Sequence, residues 1–343
     1  MEIFLGLANG NVACVSATGQ VRYNKHLAEN AITGIVGFIT EHDAGLVAVS
    51  GGGDLIRTDS DAELVWKKTL IPSRLNPPVL GDVNRDSDFE IIVSSTDGWL
   101  FIVDQAGNKL NNFREVYLNC RLSAPVLADV NRNGNLDVIL VGEGKIFAFH
   151  YTGAPVTNFP IQFERAANDA RYPAPVIADL DADGFPEIFV ATASGKVLAF
   201  DINGSKNELF PLSISGASSA ALGLHDLNGD GNFDLYARSD DGYLYSWQLG
   251  YTFDQSQLLW GEYLKDATNN GVYHQQVELP VRQGMLLPEK AVYNYPNPTE
   301  GNSTVIRYYL RDAARVTIRI YDMAGELVQE LEGSGFEAMD NEV

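Results

Sequence analysis

One pattern recurs six times in the first 274 residues of this 343-residue chain. Each copy holds a short apolar run, a turn that carries glycine, and a second apolar run, as in Glu90–Asp104 and Glu187–Asp201. The copies begin at residues 2, 45, 90, 137, 187 and 234, so they are 43 to 50 residues apart. A repeat of this period indicates an array of similar units, and it constrains the fold more than any other feature.

Within each copy the signals are those of strands and turns rather than of a helix. Asp97–Gly98 and Asp241–Gly242 are typical of hairpins, because both central positions of a two-residue turn need positive φ. Another apolar run precedes each hairpin, such as Pro125–Leu127, and a more polar run follows it. Four short strands per repeat predict an all-β fold, a β-propeller with six recognisable blades. The alternative is a β-solenoid, although its repeats are usually shorter.

The repeat pattern divides the chain into a β-propeller over residues 1–274, a linker over residues 275–290, and a second unit over residues 291–343. In the second unit, Thr304–Leu310 and Arg315–Tyr321 alternate apolar and polar residues, as half-buried antiparallel strands do. We therefore expect a small, truncated β-sandwich after the propeller.

Both ends of the pattern are expected to be incomplete. The first copy starts at its second strand, at Glu2, and the last unit stops before its closing strands. A propeller closes by pairing its terminal strands, and Val272–Leu279 is a candidate for the strand missing from the first blade. We expect the chain to be a fragment at both ends, with a signal peptide lost by truncation.

The loops between the first and second strands of four blades share one spacing of oxygen-bearing side chains. Asp or Asn occupies positions one, three and five, a turn residue occupies position six, and an acid occupies position nine. Such a set can surround a hard cation, and Ca²⁺ takes about six to eight oxygen ligands in a loose geometry. The expected ligands, from blade 3 to blade 6, are Asp82, Asn84, Asp86 and Glu90; Asp129, Asn131, Asn133 and Asp137; Asp179, Asp181, Asp183 and Glu187; and Asp226, Asn228, Asp230 and Asp234.

Asp, Asn and Gly also make ordinary turns without a metal. Four loops in phase with the repeat favour metal binding, because a turn alone does not require an acid at position nine. We expect up to four calcium ions and none in blade 2, where residues 37–45 lack the matching oxygens. Affinity should follow the number of acids, so blade 5 should bind most tightly and blade 4 most weakly. Ser87 replaces the sixth-position glycine in blade 3 and would strain a turn with positive φ.

With these loops and the glycine-centred hairpins that follow them, the chain resembles the FG-GAP or VCBS repeats of integrin-like β-propellers. The resemblance covers residues 1–274 and is most specific in blades 3 to 6. It implies binding of a ligand or partner on a propeller face, in a protein that is often extracellular, and it implies no particular reaction.

The second unit resembles the sorting domain of type IX secretion substrates, or the related FlgD-like immunoglobulin-type module. Tyr295–Pro298, Val305–Leu310 and Ile320–Gly325 carry this resemblance. It implies export across an outer membrane, often followed by surface anchoring, and hence the secretion machinery as a partner. The alternative is an accessory immunoglobulin-like module without a role in export.

Charge and composition exclude several classes of function. With 24 basic and 45 acidic residues, the formal net charge of −21 argues against binding nucleic acid. No apolar run reaches the roughly 18 residues that a membrane span needs. The five histidines are scattered, and we find no catalytic constellation and therefore expect no catalytic residues.

The sequence favours a secreted or surface-displayed, non-catalytic binding or adhesion propeller with a protein or glycan ligand on one face. The alternative is an extracellular polysaccharide lyase or another carbohydrate-active propeller enzyme, with Lys, Arg or His at the funnel abstracting a proton. A scaffold in envelope assembly is a third possibility. Five aromatic residues either stack on sugar rings or pack between blades: Trp66, Trp99, Tyr243, Trp247 and Trp260.

Overall fold

The computed structural model describes residues 2–40, 43–164, 172–207, 209–266 and 269–273, together with five strands after residue 291. Strands dominate, and within this described part no helix is long and apolar enough to cross a membrane. Blade 1 comprises β1 (Glu2–Gly6), β2 (Asn11–Ser16) and β3 (Val21–His26); blade 2 comprises β4 (Ile32–Ile39), β5 (Ala44–Ser50), β6 (Asp54–Asp59) and β7 (Leu64–Thr69).

The other four blades follow the same up-and-down antiparallel order. Their strands are β8 (Val79–Gly81), β9 (Glu90–Ser94), β10 (Trp99–Val103) and β11 (Val116–Tyr117) in blade 3; β12 (Val126–Ala128), β13 (Asp137–Gly142), β14 (Lys145–Phe149) and β15 (Ile161–Gln162) in blade 4; β16 (Val176–Ala178), β17 (Glu187–Ala191), β18 (Lys196–Phe200) and β19 (Leu212–Ser213) in blade 5; and β20 (Gly223–His225), β21 (Asn232–Arg238) and β22 (Leu244–Thr252) in blade 6. These sheets confirm the prediction of an all-β propeller with six blades, and within the described residues blades 1 and 6 have three strands each instead of the predicted four.

The hairpin turns differ in type from the sequence prediction. Gly98 has φ +109° and Gly242 has φ +98°, but neither preceding aspartate has a positive φ. In blade 3 the Ser95 N–H donates to the Trp99 carbonyl at 2.8 Å, so the loop between these two residues has three members. This is a three-residue hairpin loop with glycine in the left-handed position, not a two-residue loop.

Hydrophobic clusters lie between consecutive blades. Successive residues of a strand point to opposite faces, so the continuous apolar runs of the blade strands pack against neighbours on both sides of a blade. One cluster joins blades 1 and 2, one joins blades 2 and 3, a large one joins blades 3 to 5, and one joins blades 5 and 6. Among the described residues, no such cluster joins blade 6 to blade 1.

The chain after blade 6 returns to the first strands of the blades. We call residues 258–266 and 269–273 the axial segment. Its strand β23 (Leu258–Trp260) pairs with β16 of blade 5, and β24 (Val272–Tyr273) pairs in parallel with β8 of blade 3. The Leu224 N–H at the start of blade 6 donates to the Gly261 carbonyl at 2.8 Å. The segment therefore contacts the strands that line the centre of a propeller.

This path corrects the expectation that Val272–Leu279 completes blade 1. Val272 and Tyr273 belong to the sheet of blade 3, and residues 274–279 lie outside the described residues. Leu80 and Gly81 are their partners because the edge of β8 is free to accept a strand there.

The C-terminal unit contains five strands, two of which lie in the segments whose alternation predicts them. They are β25 (Val292–Tyr295), β26 (Val305–Leu310), β27 (Ala314–Tyr321), β28 (Leu327–Gly335) and β29 (Met339–Glu342). They form one sheet of order β25-β26-β29 and one pair, β27-β28. The linker at 275–290 and the motif positions 296–298 and 322–325 lie outside the described residues.

Candidate metal centres

The four predicted loops share one hydrogen-bonding scheme, in which backbone N–H groups orient the first carboxylate. The N–H of the sixth residue donates to Oδ2 of the first aspartate in every loop. The donor–acceptor distances are 3.0 Å for Ser87 to Asp82, 2.8 Å for Gly134 to Asp129, 2.8 Å for Gly184 to Asp179 and 2.9 Å for Gly231 to Asp226. The side chain at position three accepts the N–H of position five in the same way, for example Asp183 to Asp181 at 3.2 Å.

The ninth-position acid closes each loop from the other end. One of its oxygens accepts the N–H of the second residue, at 3.0 Å from Val83 to Glu90, 3.3 Å from Val130 to Asp137, 2.8 Å from Leu180 to Glu187 and 3.0 Å from Leu227 to Asp234. The carboxylate of the ninth residue, near the start of the second strand, thus lies against the backbone at the start of the loop. These hydrogen bonds hold the side chains of positions one, three and nine against the backbone of each loop, and the joint binding of a cation by positions one, three, five and nine stays a prediction.

Two residues in each loop have a left-handed backbone. The sixth position does so, as expected, with φ +74° at Ser87 and +84° at Gly134. The fourth position does so as well, with φ +62° at Arg85, +60° at Arg132 and +57° at Ala182. Sequence analysis missed the fourth position because only blade 6 has a glycine there, Gly229, and Arg or Ala gives no signal of positive φ.

Blade 5 offers the most complete set of oxygens. One carboxylate oxygen from each of Asp179, Asp181 and Asp183 lies within 4.8 Å of the other two. Asp179 is 5% exposed, and its Oδ1 atom is buried without a hydrogen-bond partner among the described residues. An unsatisfied buried carboxylate oxygen is costly, and a cation that binds it would remove the cost. The donors are all oxygen, so they fit Ca²⁺ better than zinc, which prefers nitrogen and sulfur.

Burial makes these acids difficult to ionise. Loss of solvation raises the pKa of Glu90 and of Glu187 to about 8, and it raises the pKa of Asp179 to about 6 and of Asp129 to about 7. Neighbouring carboxylates add to the effect, such as Asp86 beside Glu90. A divalent cation among these groups would favour their charged forms and lower each pKa again.

Two basic residues outside the predicted set reach the loops of blades 4 and 5. His150, directly after β14, places Nδ1 2.9 Å from Oδ1 of the fully buried Asp137. Arg132 of blade 4 donates from Nη2 to Oδ2 of Asp179 in blade 5, at 3.0 Å. Neither is visible as a loop partner in the sequence, because each contact joins residues that only the stacking of strands and blades brings together.

The blade 6 loop differs from the others in being largely exposed. Asn228 and Asp230 are exposed, Asp226 is half-buried, and only Asp234 is buried. The side chains of Asn232 and Gln248 donate to Asp230, and the hydrogen bond from Asn232 is the main cause of the lowered pKa of that carboxylate. A cation here would gain less from relief of desolvation than in blade 5.

The aromatic residues divide into packing residues and surface residues. Trp66 donates from Nε1 to the Gln105 carbonyl at 2.9 Å and so joins blade 2 to blade 3. Trp260 is 1% exposed and lies in the axial segment. Trp99 is half-buried against Tyr117, with ring centroids 4.6 Å apart, and Trp247 stacks on Tyr245. Tyr243 is 63% exposed at the turn of blade 6.

Comparison with known proteins agrees with this architecture. Residues 129–190 and 179–237 match the FG-GAP-like repeat, so the match spans the loops and second strands of blades 4 to 6. A search of curated proteins found no match. The chain is thus an all-β propeller with FG-GAP-like repeats.

Solved structures show the same fold at low sequence identity. The chain is similar to BamB from Moraxella catarrhalis, with 17% identity, a TM-score of 0.51, and coverage of 98% of this chain and 86% of that one. It is similar to BBS1N in its complex with ARL6DN, with 13% identity, a TM-score of 0.53, and coverage of 90% and 85%. Sqt1 from Saccharomyces cerevisiae gives 13% identity, a TM-score of 0.56, and coverage of 71% and 68%.

Proposed function

We propose that this chain is a calcium-stabilised, non-catalytic binding propeller that presents a protein partner with a rigid, strongly acidic surface. The observation that carries the proposal is the common hydrogen-bonding scheme of the four loops, each of which buries a ninth-position acid that is costly to keep charged without a cation. Each loop ties the first strand of a blade to the second, so calcium acts on the scaffold and not on a substrate.

The position of the axial segment favours binding on a blade face or edge over chemistry at the centre. β23 and β24 pair with the first strands of blades 5 and 3, and so cover the edges of strands that would face a central funnel. The formal charge of −21 also repels acidic polysaccharides, the substrates of a lyase, and attracts a basic protein face. A similar propeller, BBS1N, was solved in complex with a protein, ARL6DN.

Incubation with a panel of acidic polysaccharides separates binding from lyase activity. We expect no cleavage of any member of the panel with or without calcium, because proton abstraction needs a base placed at the substrate. Calcium-dependent cleavage would contradict the non-catalytic binding role and support the lyase. A glycan array read beside a panel of basic proteins then distinguishes a sugar ligand from a protein partner.

Native mass spectrometry tests the metal content directly. We expect up to four calcium ions per chain, and the loss of one ion in each of the variants Asp82→Ala, Asp129→Ala, Asp179→Ala and Asp226→Ala. A variant at blade 2, Asp43→Ala, is the matched control and should retain the wild-type number. A chain that takes up no calcium, or loses none in these variants, would contradict the metal assignment.

We further propose that the protein acts outside the cell or at its surface and that residues 291–343 engage the secretion machinery. The alternating strands β26 to β28 support the sandwich on which the type IX resemblance depends. In a host with that machinery, the full chain behind a signal peptide should reach the surface, and a variant ending at residue 290 should not. Equal surface protease sensitivity of the two would contradict this role.

A further inference from the structure

The guanidinium of Arg132 places a positive charge at the blade 5 loop, against the carboxylate of Asp179. It comes from the fourth position of the blade 4 loop and donates to Oδ2 of Asp179 at 3.0 Å. The two side chains are 17% and 7% exposed, so the ion pair is largely shielded from solvent. It joins the loops of neighbouring blades.

The arginine is not needed to orient Asp179. The Gly184 N–H already donates to the same oxygen at 2.8 Å. Asp82 and Asp226 are held by the corresponding N–H groups of Ser87 and Gly231, and among the described residues neither of these aspartates forms an ion pair. The orientation of the first carboxylate is therefore a property of the loop backbone, and the arginine contributes charge.

The other carboxylate oxygen also sets blade 5 apart. In blades 3, 4 and 6, Oδ1 of the first aspartate accepts the N–H of the fifth residue, at 3.2 Å from Asp86, 3.0 Å from Asn133 and 3.1 Å from Asp230. In blade 5, Oδ1 of Asp179 has no hydrogen-bond partner among the described residues. The carboxylate that the arginine contacts is thus the one whose second oxygen is available to a metal.

We propose that Arg132 is a built-in cation that holds the blade 5 loop to blade 4 in the absence of calcium and weakens calcium binding by blade 5. The inference rests on the proposed calcium sites. Arg132 thus makes the calcium affinity of blade 5 lower than its four acids alone would give. A divalent ion and a guanidinium about 6 Å apart in a water-like dielectric repel each other enough to change an affinity about tenfold.

Calorimetric titration of chelated protein with calcium tests this inference. The variant is Arg132→Gln, and the matched control is Arg85→Gln, which removes an exposed arginine from the same fourth position, with nearly the same φ, in blade 3. The blade 5 site is the one that Asp181→Ala removes. We expect Arg132→Gln to tighten that site at least about threefold after screening, Arg85→Gln to leave it unchanged, and Arg132→Lys to resemble the wild type.

Thermal unfolding supplies a second readout. In chelator, the melting temperature of Arg132→Gln should lie below that of Arg85→Gln. Saturating calcium should remove most of this difference, because the ion supplies Asp179 with the positive charge that Arg132 no longer provides. An unchanged or weakened blade 5 site in Arg132→Gln would overturn the inference, as would failure of this variant to fold in saturating calcium. Absence of calcium binding by the wild-type protein would instead overturn the proposed metal sites.

Discussion

At the scale of single residues, Ser87 is the one sixth-position residue of the four loops that is not glycine. Its φ of +74° lies in the left-handed region, where a β-carbon costs about 1 kcal/mol or more. The side chain is exposed, so no buried contact offsets this cost. The strain expected from the sequence is therefore present in the blade 3 turn.

We predict that Ser87→Gly stabilises the protein by about 1 kcal/mol, because glycine removes the steric cost of this φ. Urea unfolding monitored by circular dichroism measures the change. Ser87→Ala keeps the β-carbon and loses the hydroxyl, so it should give no comparable gain. An equal gain in both variants would show that the hydroxyl, and not the backbone, is responsible.

The buried ninth-position acids predict how stability depends on pH. With the pKa of Glu90 and of Glu187 raised to about 8 by burial, the folded chain keeps protons that the unfolded chain releases at its ordinary carboxylate pKa. The folded state then binds more protons, so stability should fall as pH rises from about 5 to about 8. Calcium favours the ionised acids and should flatten this dependence.

Melting temperatures measured across that pH range, in chelator and in calcium, check this prediction. The double variant Glu90→Gln with Glu187→Gln imitates the protonated acids, so it should show a weaker decline in chelator and a smaller response to calcium. A wild-type protein whose stability in chelator rises over the same range would contradict the effect of burial on these two groups.

The local arrangement of the loop acids could be predicted from sequence, whereas their basic neighbours could not. Positions one, three, five and nine are fixed by local spacing, which the backbone N–H groups translate directly into geometry. Arg132 and Asp179 are 47 residues apart, and only the stacking of blade 4 on blade 5 brings them together. His150 reaches Asp137 because β13 pairs with β14, and the sequence does not show which face its side chain takes.

At the scale of secondary-structure elements, the blade strands were predictable and the axial segment was not. The strands of the blades lie beside turn signals that repeat at a regular period. In β26 and β27, apolar and polar residues alternate. β23 and β24 have three and two residues, too short for any periodicity, and their partners lie at least 80 residues earlier in the chain. Their pairing depends on the space that the six blades leave at the centre.

We predict that Trp260→Ala destabilises the protein by roughly 3 to 5 kcal/mol, because it leaves a large cavity beside β12 and β16. Trp260→Phe should cost much less, since the Nε1 atom of Trp260 is buried without a hydrogen-bond partner among the described residues. Trp247→Ala, on a half-buried residue of blade 6, is the control. Urea unfolding followed by circular dichroism should give the largest loss in free energy of unfolding for Trp260→Ala and smaller losses for the other two variants. Similar losses for Trp260→Ala and Trp247→Ala would mean that the axial segment adds little to the core.

At the scale of the whole molecule, the repeat period was sufficient to predict the class of fold, because each blade buries its faces only against its neighbours. Four hydrophobic clusters supply this packing from blade 1 to blade 6. The same architecture concentrates acids in four loops of a chain with a formal charge of −21, and four calcium ions would add eight positive charges. Metal binding should therefore stabilise the assembly as a whole, through both the loops and the reduced repulsion between them.

Differential scanning calorimetry of the chelated protein, with and without added calcium, tests the central claim most directly. We predict a melting temperature that rises with calcium concentration well above the effect of equal magnesium, because Mg²⁺ demands a tighter octahedral geometry than these loops offer. The quadruple variant Asp82→Asn, Asp129→Asn, Asp179→Asn and Asp226→Asn should lose this response. An unchanged melting temperature in saturating calcium would contradict the account, and so would an equal rise in calcium and magnesium.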